Sequence, residues 1–209
     1  MTLDTKWAVG WLTTAADSIA AQAAALSELD RAIGDGDHGE NMNRGFTAVR
    51  EALVDAQGTT PSDVLRLAAM KLISSVGGAA GPLYGTAFLR ASDAVTGRSS
   101  LGPSDVAELV QAALGGIEER GHAEPGDKTM VDAWAAAARA ARDAAARGDD
   151  AAAVLAASAD GAEAGAESTD ELFPRKGRAS YLGERAVGHR DPGAASTALI
   201  LRAAVEAAA

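Results

Sequence analysis

Long stretches of strong helix formers, interrupted where glycines gather, limit what this chain can fold into more than anything else in it. Alanine-rich runs such as 133–166 carry no proline, and alanine loses least of all residues on entering a helix. Glycine in a helix interior costs about 1 kcal/mol, so its clusters mark junctions between helices. Eight helical stretches can be read: 7–29, 41–55, 59–76, 82–95, 103–120, 127–146, 149–169 and 194–209. In the second, Met42, Phe46, Val49 and Leu53 form an apolar stripe at helical spacing. In the third, Thr60 is placed to cap, with Pro61 at the first helical position and Asp63 in the first turn. No stretch alternates with period two for long enough to suggest a strand, and aromatics are only 4%, which disfavours sheets. The expected fold is all-α: one domain over 1–209, an up-and-down arrangement of about eight antiparallel helices.

The glycine clusters are "GDGDHG" (34–39), "GGAAGPLYG" (77–85), "GHAEPGDKTM" (121–130) and "KGRASYLGERAVGHRDPG" (176–193). They follow the first, third, fifth and seventh helices. In an up-and-down bundle alternate junctions lie at the same end, so all four are expected to meet there in one composite site.

The chemistry of that end can be read group by group. Asp30, Asp35 and Asp37 are hard oxygen ligands. On a continuous helix Asp30 and Asp37 would share a face while Asp35 pointed about 140° away. Gly34 and Gly36 let the chain leave helical geometry, so the three carboxylates can converge. Together they would repel one another without a cation, and carboxylate ligation suits magnesium. An EF-hand loop does not fit, because the fifth position counted from Asp35 is Gly39. "SVGGAAGPLYG" offers unobstructed backbone N–H groups leading into a helix, the arrangement that attracts phosphate. Residues 175–190 hold Arg175, Lys176, Arg178, Arg185 and Arg190 against Glu184 alone, a local +4 in a chain of net charge −10. Magnesium, open amides and arginine together point to a polyphosphate, most simply a nucleotide. There is no Walker pattern and no kinase glycine loop of the usual form.

The acidic balance argues against nucleic acid or anionic membrane as partners. There is no cysteine, hence no disulfide or thiolate chemistry. No segment approaches the roughly 20 apolar residues of a membrane span, and no leader is evident, so a cytoplasmic location is expected. His38, beside three carboxylates, is expected to stay protonated or to donate to a phosphate oxygen. His122 and His189 are equally compatible with structural and exposed roles. Met130 fits either the core or a contact with an aromatic base. Trp7, Trp11 and Trp134 are read as core anchors.

The motifs "GDGDHGENMNRG", "SSVGGAAGPLYG", "AEPGDKTM" and "KGRASYLGERAVGHRDPGAAST", in this order, resemble the nucleotide-binding L subunit of bacterial, phosphotransferase-system-dependent dihydroxyacetone kinase. The same module forms the C-terminal domain of ATP-dependent dihydroxyacetone kinases. The resemblance spans the whole chain and implies an eight-helix barrel with the nucleotide at one end. It implies that Asp30, Asp35 and Asp37 hold two Mg2+ ions bridging the phosphates of ADP or ATP. His38, Gly39, Glu40 and Asn41 would line the phosphate side, and Ala79 and Ala80 would meet the nucleotide through their backbone. Gly121 and Met130 would border the adenine. Arg178 would reach the phosphates and assist transfer, no residue being assigned a certain catalytic role, and Asp191, Pro192 and Gly193 would close over the nucleotide from a lid segment at about 175–193. Ala80 stands where the family commonly has serine, which removes one hydroxyl contact and predicts a weaker grip.

In that family ADP stays bound and is rephosphorylated by a phosphohistidine on an M subunit. The L subunit then passes the phosphoryl group to dihydroxyacetone held on a K subunit. Two alternatives are carried: an ATP-exchanging subunit of a kinase for another short ketose such as a tetrulose, and a nucleotide-dependent module that docks on a transcription regulator.

Overall fold

The computed structural model describes residues 2–54 and 60–209; the end of the second expected helix, at 55, and the first residue of the third, Thr59, lie outside the described residues. The described residues form eight α-helices: α1 Thr5–Ile33, α2 His38–Leu53, α3 Pro61–Ser75, α4 Ala80–Ala94, α5 Pro103–Gly121, α6 Met130–Arg147, α7 Ala151–Ser168 and α8 Pro192–Glu206. Each packs on the next, and α8 returns to α1, which closes the ring into a barrel. One apolar core takes residues from all eight helices, among them Trp11, Phe46, Leu65, Phe88, Val110, Trp134, Leu155 and Ile200. The low-complexity run 133–166 falls within α6 and α7 as expected, apart from the short turn between them.

The barrel closure is fastened by the two N-terminal tryptophans. Their rings stack at 5.2 Å between centroids. The Trp7 indole donates to the Ala204 carbonyl at 3.0 Å and that of Trp11 to Ile200 at 2.8 Å, both across to α8. A buried indole with its N–H satisfied contributes both apolar area and orientation. One feature has no period-two signal behind it: β1 Leu3–Asp4 pairs antiparallel with β2 Ser100–Leu101, two residues each. Such a pair is too short to read as an alternation.

Capping moves several helix starts away from the expected positions. Asp4 accepts from Lys6 N and Trp7 N, so α1 begins at Thr5. The carboxylate of Asp30 takes the first N–H groups of α2, which starts at His38 and not at Asn41. Thr129 caps α6, leaving Asp127 and Lys128 in the preceding turn. Asp191 caps α8, which starts at Pro192. Thr60 and Asp63 form the reciprocal capping box expected at the head of α3.

The odd helices end where the even helices begin, so α2, α4, α6 and α8 present their N-termini to the same end of the barrel. His38, Ala80, Met130 and Pro192, the first residues of those four helices, all line one recess. Four helix dipoles therefore point their positive ends at it.

Candidate functional site

That recess draws on all four glycine-rich junctions. From the first come Asp30, Asp35, Asp37, His38 and Asn41; from the second, Ala79 and Ala80; from the third, Met130; from the fourth, Arg178, Asp191, Pro192 and Gly193. Gly121 lines an adjoining apolar recess with Pro82, Leu83, Ile117, Ala123 and Met130. Two expected residues are not brought in. Glu40 is exposed. Gly39 is buried against α1, where an added Cβ would lie 1.8 Å from the Ala23 carbonyl oxygen. It is glycine so that two helix backbones can approach, which the motif alone could not distinguish from a phosphate contact.

The three carboxylates converge as the glycines allow. Ligand oxygens of Asp30, Asp35 and Asp37 all lie within 4.8 Å of one another. Gly36 makes the turn at φ 78°, where a side chain would be strained. Gly34 lies flat against Asp30; a Cβ there would be 2.2 Å from Oδ1. Asp30 is buried and its Oδ2 accepts from Asp37 N at 2.8 Å and His38 N at 3.1 Å, which fixes the carboxylate in orientation. Asp35 and Asp37 are exposed. Magnesium bonds oxygen at about 2.0–2.1 Å, so small side-chain rotations suffice for this donor set to hold it. The Arg178 guanidinium meets Asp35 Oδ2 at 2.8 Å.

Behind the carboxylates lies a buried polar chain. His38 Nε2 is 2.9 Å from Ser196 Oγ, and Ser196 Oγ is 2.7 Å from the Tyr84 hydroxyl. Tyr84 donates to the Gly193 carbonyl at 2.9 Å and lies 2.8 Å from Thr197 Oγ1. This chain ties α2 and α4 to the first turns of α8. Burial pulls the His38 pKa below the ordinary histidine value, against the opposing pull of Asp30 and Asp37, which weighs against a ring that stays protonated. Its Nε2 is engaged with the Ser196 hydroxyl, which ties the ring to the head of α8. Tyr84 is pushed well above its ordinary value by burial and holds its proton.

Asp191 carries the largest carboxylate perturbation of the site. Burial pushes it up to about 7, with the charges of Asp132 and Asp30 adding, against the Ala194 N–H and Lys128. His122 ends α5 in the left-handed region at φ 53° and is exposed, and His189 is exposed too. Trp7, Trp11 and Trp134 are all core, as expected.

The recess also takes in Lys128, Thr129 and Leu83, which nothing in the sequence singles out, and Lys176 of the basic stretch. Lys128 is 1% exposed and its Nζ donates to the carbonyls of Thr169 and His189. A lysine in a glycine- and proline-bearing turn reads as solvated; nothing local announces that a distant segment covers it. Among the described residues no helix is long and apolar enough to cross a membrane.

Comparison with known proteins agrees with this geometry. The DAK2 domain model matches residues 32–206. The ADP-binding subunit DhaL of PEP-dependent dihydroxyacetone kinase from Escherichia coli is 43% identical over 202 residues, covering 97% of this chain and 96% of the relative. The ADP-binding subunit DhaL of the PTS-dependent kinase from Lactococcus lactis is 41% identical, with full coverage of both chains at 100%. The L-erythrulose 1-kinase of Mycolicibacterium smegmatis is 35% identical over 86% of this chain, which spans 32% of that protein. The crystal structure of the dihydroxyacetone kinase from C. freundii in complex with AMP-PNP and Mg2+ superposes with a TM-score of 0.72 at 25% identity, covering 99% of this chain and 34% of that one. With the barrel, the carboxylate cluster and full-length likeness in agreement, this chain belongs to the DAK2 domain family, among the ADP-binding subunits of dihydroxyacetone kinase.

Proposed function

We propose that this chain is the ADP- and magnesium-binding subunit of a dihydroxyacetone kinase and passes a phosphoryl group to the sugar on a separate K subunit, the bound ADP being recharged by a phosphohistidine M subunit. The observation that carries this reading is the cluster of Asp30, Asp35 and Asp37, with ligand oxygens within 4.8 Å, at the meeting point of four helix N-termini. A bare carboxylate cluster would repel a polyphosphate, and bare helix N-termini would attract any anion. The combination selects an anion that brings its own divalent cation.

The residues divide the work. Asp30, Asp35 and Asp37 would hold the magnesium ions, which when bound neutralise charge on the phosphates. The N-terminus of α4 at Ala80 has no side-chain cap, so its N–H groups are open to a phosphate oxygen. Arg178, exposed and already beside Asp35, needs only a swing of its side chain to reach the transferring group. Met130 and Leu83 line both the charged recess and the apolar one beside it, which gives an adenine ring an apolar seat at the required side. Residues 175–193 form the lid: Arg178 anchors it to Asp35, and Ala179, Leu182 and Ala186 pack on Ile33 of α1.

The test is analysis of the purified protein for nucleotide and metal. Near-stoichiometric ADP, retained through dialysis and released by chelator, is the expected result. Absence of nucleotide, with none bound on adding ADP and magnesium, overturns the reading. Reconstitution with K and M subunits and phosphoenolpyruvate then reads out dihydroxyacetone phosphate.

A second reading has one observation in its favour, the likeness to a protein named L-erythrulose 1-kinase. On it the same module serves a K-type partner for a four-carbon ketose. Exchanging the K subunit in the reconstituted assay, with this chain unchanged, decides between the sugars.

A further inference from the structure

A buried lysine stands where the loop 170–190 leaves and rejoins the barrel. Its ammonium donates to Thr169 O, at the start of that loop, and to His189 O, near its end. Other bonds close the same neck. Gly188 N donates to Asp170 O at 2.7 Å, and Asp191 N to Thr169 Oγ1 at 3.0 Å. The Arg190 guanidinium holds both carboxylate oxygens of Asp170, at 3.1 and 3.0 Å. Past the neck the loop has two 3-10 turns, Arg178–Tyr181 and Gly183–Ala186, and it meets the barrel through the small apolar cluster around Ile33, the exposed Arg178–Asp35 ion pair and Arg175 N on the Asp127 carbonyl at 3.1 Å. So little buried area cannot hold a loop of this length in place by itself. The neck is the densest of its attachments.

Lys128 is built for the task. Its backbone sits in the left-handed region at φ 62°, a conformation that side-chain-bearing residues adopt at a cost. The turn that imposes it is held from both sides: Asp132 accepts from Gly126 N and Thr129 N, and Asp127 accepts from Glu124 N. Burying an ammonium is costly too, and an apolar side chain would fill the same space without that cost. Three carboxylates face it, Asp191, Asp170 and Asp132, and they oppose the lowering of its pKa by burial. A strained backbone and a buried charge at one residue, both aimed at a loop neck, mark a function beyond packing.

We propose that Lys128 is a positioning residue: by clamping the two ends of the 170–190 loop it holds Arg178 and Asp191 over the nucleotide and sets how fast the nucleotide leaves. This rests on the nucleotide-binding reading above. Two of its three N–H donors are taken by the loop carbonyls, so it acts through the loop and not as a phosphate ligand.

The experiment has two arms. The first uses the protein without nucleotide and follows backbone amide exchange by mass spectrometry. In Lys128→Met, amides of 170–191 are expected to exchange about tenfold faster while the helices keep their protection. Arg190→Gln, at a half-buried residue, loosens the same neck without touching the core and is expected to act alike. The second arm measures release of a fluorescent ADP analogue in the presence of magnesium. Release quickens about tenfold in either variant with association unchanged, and the double variant is no faster than the faster single one, since both break one neck. Unchanged exchange in 170–191 overturns the clamp. A loosened loop with unchanged ADP release overturns the positioning role. Slower association with the loop still protected overturns it also, in favour of a direct phosphate contact. Should the wild-type protein bind no ADP, the nucleotide reading fails, and the exchange arm still decides the clamp on its own.

Discussion

Asp191 concentrates several demands in one side chain. It caps α8 by accepting from Ala194 N at 2.7 Å, it lines the recess, and burial pushes its pKa up to about 7. A raised carboxylate binds more protons folded than unfolded. Its contribution to stability is therefore fully present below the ordinary aspartate range and is lost as pH rises through about 7. Asp191→Asn keeps the acceptor and removes the charge. Its melting temperature is expected to match wild type near pH 3 and to exceed it by roughly a few °C above pH 8. Calorimetry of the nucleotide-free protein across pH checks this; parallel curves would show that the burial effect is absent. His38 works in the opposite sense. Its lowered pKa gives stability that is present above the ordinary histidine value and lost as pH falls.

At the scale of elements, the site depends on how closely α1, α2, α4 and α8 approach one another. Gly39 lets the first turn of α2 touch α1 at Ala23, so Gly39→Ala must push two backbones apart. The expected loss is about 1–3 kcal/mol in urea unfolding, with the Asp30 carboxylate displaced from its α2 N–H partners. Tyr84 is the joint between α4 and α8. Tyr84→Phe leaves the ring in place but strips the hydroxyl from the Gly193 carbonyl, Ser196 and Thr197. The Gly193 carbonyl keeps the Ser196 and Thr197 hydroxyls as donors, so losing the Tyr84 hydroxyl from the network is expected to cost about 0.5–1.5 kcal/mol, read from the denaturation midpoint at constant slope. A midpoint shift within error in this variant would show that the network contributes orientation and not stability.

Over the whole molecule, a ligand that binds at the meeting point of four junctions binds only the folded barrel. Magnesium and ADP at one hundred times their dissociation constant are expected to stabilise it by about 2.7 kcal/mol. Chelator should reverse the effect, and Asp37→Ala should abolish it; a thermal shift that survives either one would place the nucleotide elsewhere. The placement of that end was legible from order alone. Glycine clusters after odd-numbered helices had to share one end, and the recess draws on all four. The helices themselves were legible because alanine runs and apolar spacing are local properties. Helix starts were less so: Asp30 caps α2 from the far side of a turn, and the motif does not show that Gly39 also brings α2 against α1. By itself the sequence determined eight helices, their antiparallel order, the end at which the glycine-rich junctions gather and the three acids that converge there, because each follows from neighbours along the chain. Only the tertiary structure decided that Lys128 is buried, that His38 is engaged with Ser196, and that Asp191 is pushed toward neutrality. Burial is a property of what packs against a residue, and the loop that covers Lys128 and the helix that meets His38 come from far along the chain.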